Sequence, residues 1–207
     1  MTTTLPEFEI LRDTALVCTA CDLANTRHTV VFGVGDPNAR LMLVGEAPGK
    51  NEDLQGEPFV GAAGALLDEL LAGIGVSRSE VYIANVLKCR PPGNRDPRPG
   101  EIDSCKGYLR EQIRLIAPEV VVTLGNFATK LLLRTETGIT RLRGQRFDWW
   151  LGAVLVPTFH PAAALRGGER VRAQMRDDFE IVSQILAEAP IEPAASETPQ
   201  EQMDLFG

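Results

Sequence analysis

Three continuous apolar runs constrain this chain most. Leu41-Met42-Leu43-Val44 ends in Gly45, Val81-Tyr82-Ile83-Ala84 runs into Asn85-Val86, and Val120-Val121-Val122-Thr123-Leu124 ends in Gly125. None alternates with polar residues, so each reads as a strand buried on both faces and feeding a loop. A fourth apolar run, Ala153-Val154-Leu155-Val156, follows Arg146-Phe147-Asp148-Trp149-Trp150 across the turn Leu151-Gly152, and the two read as a hairpin. Thr29-Val30-Val31-Phe32 is a short extended piece before the turn Gly33-Val34-Gly35-Asp36-Pro37. Between the runs, apolar residues recur at helical spacing. The predicted helices are residues 8–17, 62–72, 101–116, 126–133 and 169–188, and Pro118 stops the third. Strands alternating with helices predict a three-layer α/β/α sandwich around a central, mostly parallel four-stranded sheet. In such sheets ligands bind at the carboxyl ends of the strands. The loops after Val44, Val86, Leu124 and Val156 are therefore the places to look for a site.

The chain has 207 residues. That is enough for one such domain, expected at residues 1–188, and a tail at 189–207. The tail is rich in Pro, Ala, Ser, Thr, Gln and Glu and reads as disordered. No apolar run approaches the ~20 residues of a membrane span. The N-terminus lacks a basic start and an apolar core, so a cytoplasmic protein is expected, with no membrane partner. The net charge of -7 speaks at first against nucleic acid. The segment from Ala187 to Gly207, however, carries Glu188, Glu192, Glu197, Glu201 and Asp204 with no Lys or Arg, which leaves a near-neutral body. That body has two basic stretches: Lys88, Arg90, Arg95, Arg98, Lys106, Arg110 and Arg114, then Arg166, Arg170, Arg172 and Arg176. They bind phosphates if they converge, and otherwise are solvated faces.

Cys18, Cys21, Cys89 and Cys105 are the only cysteines. A C-x-x-C pair and two further thiols suit the four ligands of one metal centre. Zinc and an iron–sulfur cluster both accept four thiolates. The long Cys89–Cys105 spacing is unlike the paired hairpins of a zinc ribbon.

Two nucleotide motifs are excluded. Gly45-Glu46-Ala47-Pro48-Gly49-Lys50-Asn51 has three residues between its glycines where a Walker loop has four, and Asn51 replaces the Ser or Thr after the Lys. Gly33-Val34-Gly35 lacks the third glycine of a dinucleotide fingerprint. Two loops remain. Asn85 at a strand end presents an amide donor beside a carbonyl acceptor, which matches O4 and N3–H of uracil and opposes cytosine. It would equally cap its own turn. His160, one of two histidines, stands just past a buried strand beside Arg166, a position that suits either a catalytic or a structural hydrogen-bonder.

Taken together, Gly45-Glu46-Ala47-Pro48-Gly49, Pro58-Phe59-Val60-Gly61, Asn85-Val86-Leu87-Lys88-Cys89-Arg90-Pro91-Pro92 and His160-Pro161-Ala162-Ala163, with the four cysteines, resemble the family-4 iron–sulfur uracil-DNA glycosylases in residues and in order. The resemblance runs from about Cys18 to Leu186. It implies a monofunctional enzyme that flips deoxyuridine out of single- or double-stranded DNA and hydrolyses its N-glycosidic bond, starting base-excision repair. It also implies a [4Fe-4S] cluster on Cys18, Cys21, Cys89 and Cys105, ordering a loop that carries Arg90, Arg95 and Arg98 toward phosphates.

In that resemblance Gly45, Ala47, Phe59, Asn85 and His160 form the base pocket. Phe59 stacks on uracil, Asn85 reads its edge and His160 bonds O2. Other branches of the superfamily orient the attacking water with an Asp where this chain has Ala47. Glu46 is then the candidate carboxylate, with Glu52 or Asp53 as substitutes. Gly49 stands where those branches use a Tyr against thymine, so Glu46 is also the candidate for that exclusion. Leu165 or Ala164 lies where an apolar wedge fills the gap in the duplex, and Arg166 contacts phosphate. The ending Gln202-Met203-Asp204-Leu205-Phe206-Gly207 resembles the peptide by which bacterial repair proteins dock on the sliding clamp, with Gln202, Leu205 and Phe206 as its contacts. A monomer close to the nucleoid is expected. The alternative is a superfamily member that binds or covalently traps uracil-DNA with little turnover. That branch is marked by a basic, His-bearing insertion near the first motif, and residues 50–59 contain none.

Overall fold

The computed structural model describes residues 5–188. The expected tail and clamp peptide, 189–207, lie outside the described residues. The elements in chain order are α1 (Leu5–Leu16), β1 (Val34–Gly35), β2 (Leu41–Gly45), α2 (Lys50–Gln55), α3 (Ala62–Gly73), β3 (Val81–Asn85), α4 (Pro99–Ile116), β4 (Val120–Leu124), α5 (Asn126–Leu133), α6 (Ile139–Leu142), β5 (Phe147–Asp148), β6 (Val154–Thr158) and α7 (Pro161–Ala187). The strands form one sheet in the order β1-β3-β2-β4-β6-β5.

The four inner strands are parallel and every residue in them is buried. Their lack of alternation follows from helices on both faces. Leu41, Leu43, Val81, Ile83, Val120, Val122 and Val156 point to one layer and meet Leu66, Leu67, Leu70 and Leu71 of α3 and Met175, Phe179 and Val182 of α7. Met42, Val44, Tyr82, Ala84, Val121 and Leu155 point to the other and meet Phe8 of α1, Leu109 and Ile113 of α4, and Ala128 and Leu132 of α5. The sandwich is as expected, but the sheet has six strands rather than four. The additions are two-residue antiparallel edges, β1 on β3 and β5 on β6. β1 falls inside the turn predicted at 33–37, because Gly35 lets the chain close on β3. A side chain there would put its Cβ 1.8 Å from the Val81 carbonyl oxygen.

The last helix also begins earlier than its periodicity predicts. Pro161 opens it at a position where a missing N–H is harmless, and Gly168 interrupts it at φ +67. Residues 161–167, expected as loop, are thus a separate helical piece before the long amphipathic one. Among the described residues, no helix is long and apolar enough to cross a membrane.

Candidate active site

The loops after β2, β3, β4 and β6 line one open cavity of about 930 Å³. The chain moves outward from β2 to β3 on one side and from β4 to β6 on the other, so this cavity lies where the strand order reverses.

Asn85 ends β3 opposite Gly45 in the ladder. Its side chain is 2% exposed and faces the cavity. Among the described residues its side chain makes no protein hydrogen bond, so the amide is open to a ligand in the cavity. Gly45 is the reason it fits. A Cβ at position 45 would sit 2.3 Å from Asn85 Oδ1 and 2.9 Å from Phe59 Cζ. Phe59 itself holds φ +55, a left-handed conformation that a bulky residue rarely adopts. It is held there by Gly64, whose Cβ would stand 1.7 Å from the Phe59 carbonyl oxygen. Sequence reasoning missed Gly64. The available signal was a glycine in the first turn of a helix that is otherwise rich in Ala and Leu.

The Phe59 ring stacks on the His160 ring at 5.5 Å between centroids and 29° between planes. His160 is the residue before α7, and its Nδ1 accepts a hydrogen bond from the Ala162 N–H at 3.1 Å. With Nδ1 an acceptor, the proton of a neutral imidazole belongs on Nε2, which is then a donor. Burial, with repulsion from Arg166 second and attraction from Glu52 opposing both, holds the His160 pKa below its usual value. Neutral His160 is thereby the resting form.

Glu46 and Ala47 line the same cavity. Burial, and after it the charge of Asp96, pushes the Glu46 carboxyl above the usual carboxylate range. Of its two substitutes, only Glu52 faces the cavity, and its Oε1 accepts from the Val60 N–H at 3.3 Å. Asp53 is turned away, accepting from the His28 and Thr29 N–H groups at 2.8 and 3.3 Å. Asp96, which also lines the cavity, was not anticipated.

The basic residues separate into groups. Arg166 is exposed at the cavity rim, and Arg98 is exposed at the start of α4. Arg90 is half-buried and donates to Asn94 Oδ1 at 2.6 Å. Arg95 lines the cavity, but its guanidinium grips buried Glu101 through two bonds of 3.0 and 2.5 Å. Glu101 in turn accepts from the Arg98 N–H at 2.9 Å, so this pair shapes the loop. Lys88 is fully enclosed. Lys106 and Arg114 pair with Asp103 and Glu111. Leu165 is 39% exposed while Ala164 is packed in the core, which leaves Leu165 as the one of the two able to project.

The four thiols surround a second, smaller cavity with Arg27 and Tyr108. The end of α1 brings Cys18, the 3₁₀ turn Asp22–Asn25 follows Cys21, Cys89 follows β3, and Cys105 lies in α4. Arg27 donates to Cys89 Sγ at 3.3 Å and the Lys88 N–H donates to Cys105 Sγ at 3.2 Å. Burial pushes the Cys105 thiol up to about 11.

Residues 32–183 match the model of the uracil DNA glycosylase superfamily. The chain is 45% identical to the Type-4 uracil-DNA glycosylase of Archaeoglobus fulgidus over 83% of this chain and 87% of that one. It is 44% identical to that of Thermotoga maritima over 83% and 91%, and 41% identical to that of Sulfurisphaera tokodaii over 87% and 86%. With the same strand-end loops meeting at one cavity, the chain belongs to the uracil-DNA glycosylase superfamily, among the Type-4 uracil-DNA glycosylases.

Proposed function

We infer that this chain hydrolyses the N-glycosidic bond of deoxyuridine in DNA. The observation that carries the reading is Asn85: an amide that makes no side-chain hydrogen bond among the described residues and faces a cavity walled by an aromatic ring and an imidazole. Uracil must leave the base stack to enter. Phe59 then lies against its face. Asn85 accepts from N3–H and donates to O4, an arrangement that cytosine reverses.

As the C1′–N1 bond breaks, its electron pair passes to the base and charge builds on O2. His160 Nε2–H donates there, and donors aimed at developing charge are usually the largest catalytic term. A neutral donor suits this role, because the imidazole need not give up a proton. A water oxygen bonds to C1′ and its proton passes to the Glu46 carboxylate, while the uracil leaves as the anion that the C1′–N1 electron pair makes it. Glu46 is the carboxylate we assign to hold that water, with Glu52 supporting the Phe59-Val60 turn. Glu46 also serves the discrimination against thymine, since Gly49 offers no side chain. Leu165 fills the place of the flipped base, and Arg98, Arg166 and Arg90 meet phosphates.

Cys18, Cys21, Cys89 and Cys105 would hold a [4Fe-4S] cluster, which supplies a crosslink between α1, the β3 loop and α4. The donor set fits: four thiols, two N–H···S bonds and a hydrophobic surround. Among the described residues no three His, Cys, Asp or Glu side chains are spaced for a single ion. For the tail, sequence alone supports a sliding-clamp contact through Gln202, Leu205 and Phe206. Failure of peptide 198–207 to compete with a clamp ligand would remove it.

The test is incubation with single- and double-stranded oligonucleotides carrying uracil, followed by alkaline cleavage at abasic sites. Strand breaks at uracil are expected, and they disappear in Asn85→Ala and His160→Ala. No breaks with either substrate, in protein with its iron intact, overturn the reading.

A further inference from the structure

Lys88 belongs to a basic stretch in sequence, yet it is 1% exposed and cannot reach a phosphate. Among the described residues no carboxylate bonds its amine. Instead Nζ donates to the Asn85 carbonyl oxygen at 2.8 Å and to Gln112 Oε1 at 2.5 Å, and it lies 5.9 Å from the centre of the Phe32 ring. The Gln112 amide donates onward to the Phe32 carbonyl at 2.9 Å and to the Tyr82 hydroxyl at 3.1 Å. The Lys88 N–H is bonded to Cys105 Sγ. One residue therefore touches both the carbonyl of Asn85 and the thiol cluster.

A buried amine is costly, and an apolar side chain of similar length would fill the space without that cost. What the Lys88 amine adds is directed donation, to the Asn85 carbonyl and to Gln112 Oε1. That carbonyl belongs to the residue whose own side chain makes no hydrogen bond among the described residues. Resting on the uracil-reading role of Asn85, we propose that Lys88, braced by Gln112, is the positioning residue for Asn85. The amine fixes the Asn85 backbone at the end of β3, and Gly45 confines the side chain from the other side. The amide then meets the base edge at one angle. A misplacement of ~1 Å at such a contact costs up to ~100-fold.

The test compares Lys88→Met and Gln112→Leu with the parent holoenzyme in two binding measurements. One is the inhibition constant of free uracil. The other is affinity for a duplex carrying a tetrahydrofuran abasic analogue, which has no base to read. The expected result is an inhibition constant raised about tenfold or more, with unchanged abasic-duplex affinity and unchanged iron content. An unchanged inhibition constant overturns the proposal. So does equal weakening of both affinities, which marks a general loss of structure. Gln112→Leu decides the matter if Lys88→Met does not fold. Failure of the uracil reading itself shows separately, as a parent protein that excises nothing, and it takes this proposal with it.

Discussion

Gly45 and Asn85 face each other at the ends of neighbouring parallel strands, so close that one methyl group on Gly45 would stand 2.3 Å from Asn85 Oδ1. The Asn85 amide thus has its place because its neighbour has no side chain. Gly45→Ala is expected to displace both Asn85 and Phe59 while leaving the sheet intact. Excision should fall by about 100-fold or more, with thermal unfolding little changed. Full activity would show that the Asn85 side chain has other room.

On the proposed roles, His160 and Glu46 together are expected to set the acid limb of the pH profile. Both must be deprotonated: His160 so that Nδ1 can accept from Ala162, Glu46 so that it can hold water. The His160 pKa is lowered below 6.5 and that of Glu46 is raised above 4.5, so both shifts move toward one another. The charges facing them are Arg166 and Glu52 at His160, and Asp96 at Glu46. Activity is therefore expected to hold below pH 6.5 and to fall further down. Glu46→Gln should remove one ionisation from kcat/KM against pH, and a profile unchanged in shape would exclude Glu46 from this role. His160→Ala should lower kcat by about 100- to 1,000-fold, measured in single turnover.

Arg95 and Arg98 are expected to behave differently although both lie on the loop between Cys89 and Cys105. Arg98→Ala removes an exposed cation and should reduce the salt slope of DNA binding by about 1. Arg95→Ala leaves buried Glu101 without its partner and should destabilise the loop, read as faster proteolysis between residues 90 and 101. Identical behaviour of the two would contradict the assignment.

Behind His160, buried Asp178 accepts from the Thr158 hydroxyl at 2.6 Å and pairs with Arg143 at 2.6 and 3.1 Å. The Arg143 guanidinium also lies 5.8 Å from the centre of the Phe159 ring. Arg143→Met strips the partner from a buried carboxylate. A loss of about 3–5 kcal/mol of stability is expected, measured by denaturant unfolding.

Cys89→Ala should lose iron, fold and DNA binding together, seen in absorbance, circular dichroism and a gel shift. Retained DNA binding without iron would separate the cluster site from the DNA surface.

The chain alone determined the sandwich, the inner strands, the four loops that meet at the cavity and the residues on them. Burial on both faces is written locally, as a run without alternation, and a loop after such a run has only one end of the sheet to occupy. The hairpin arm that holds β5 was legible from the turn at Leu151-Gly152, whereas β1, an edge strand of two residues with no such period, required β3 to be in place. The helical piece 161–167 was obscured because His160 and Pro161 start it and Gly167-Gly168 end it within two turns.

Which charge meets which partner was decided only by the tertiary structure. Arg95 and Arg98 look alike in sequence, but Glu101 claims one through its side chain and the other through its backbone. Lys88 reads as a surface cation until Gln112, Phe32 and the Asn85 carbonyl enclose it. Glu52 and Asp53 are adjacent, yet the turn of α2 sends one to the cavity and the other to the His28 loop. Leu165 projects and Ala164 is packed for the same reason. Periodicity is a property of the chain and can be read along it. Pairing of charges acts through space between segments far apart in sequence, so it exists only once the fold has brought them together.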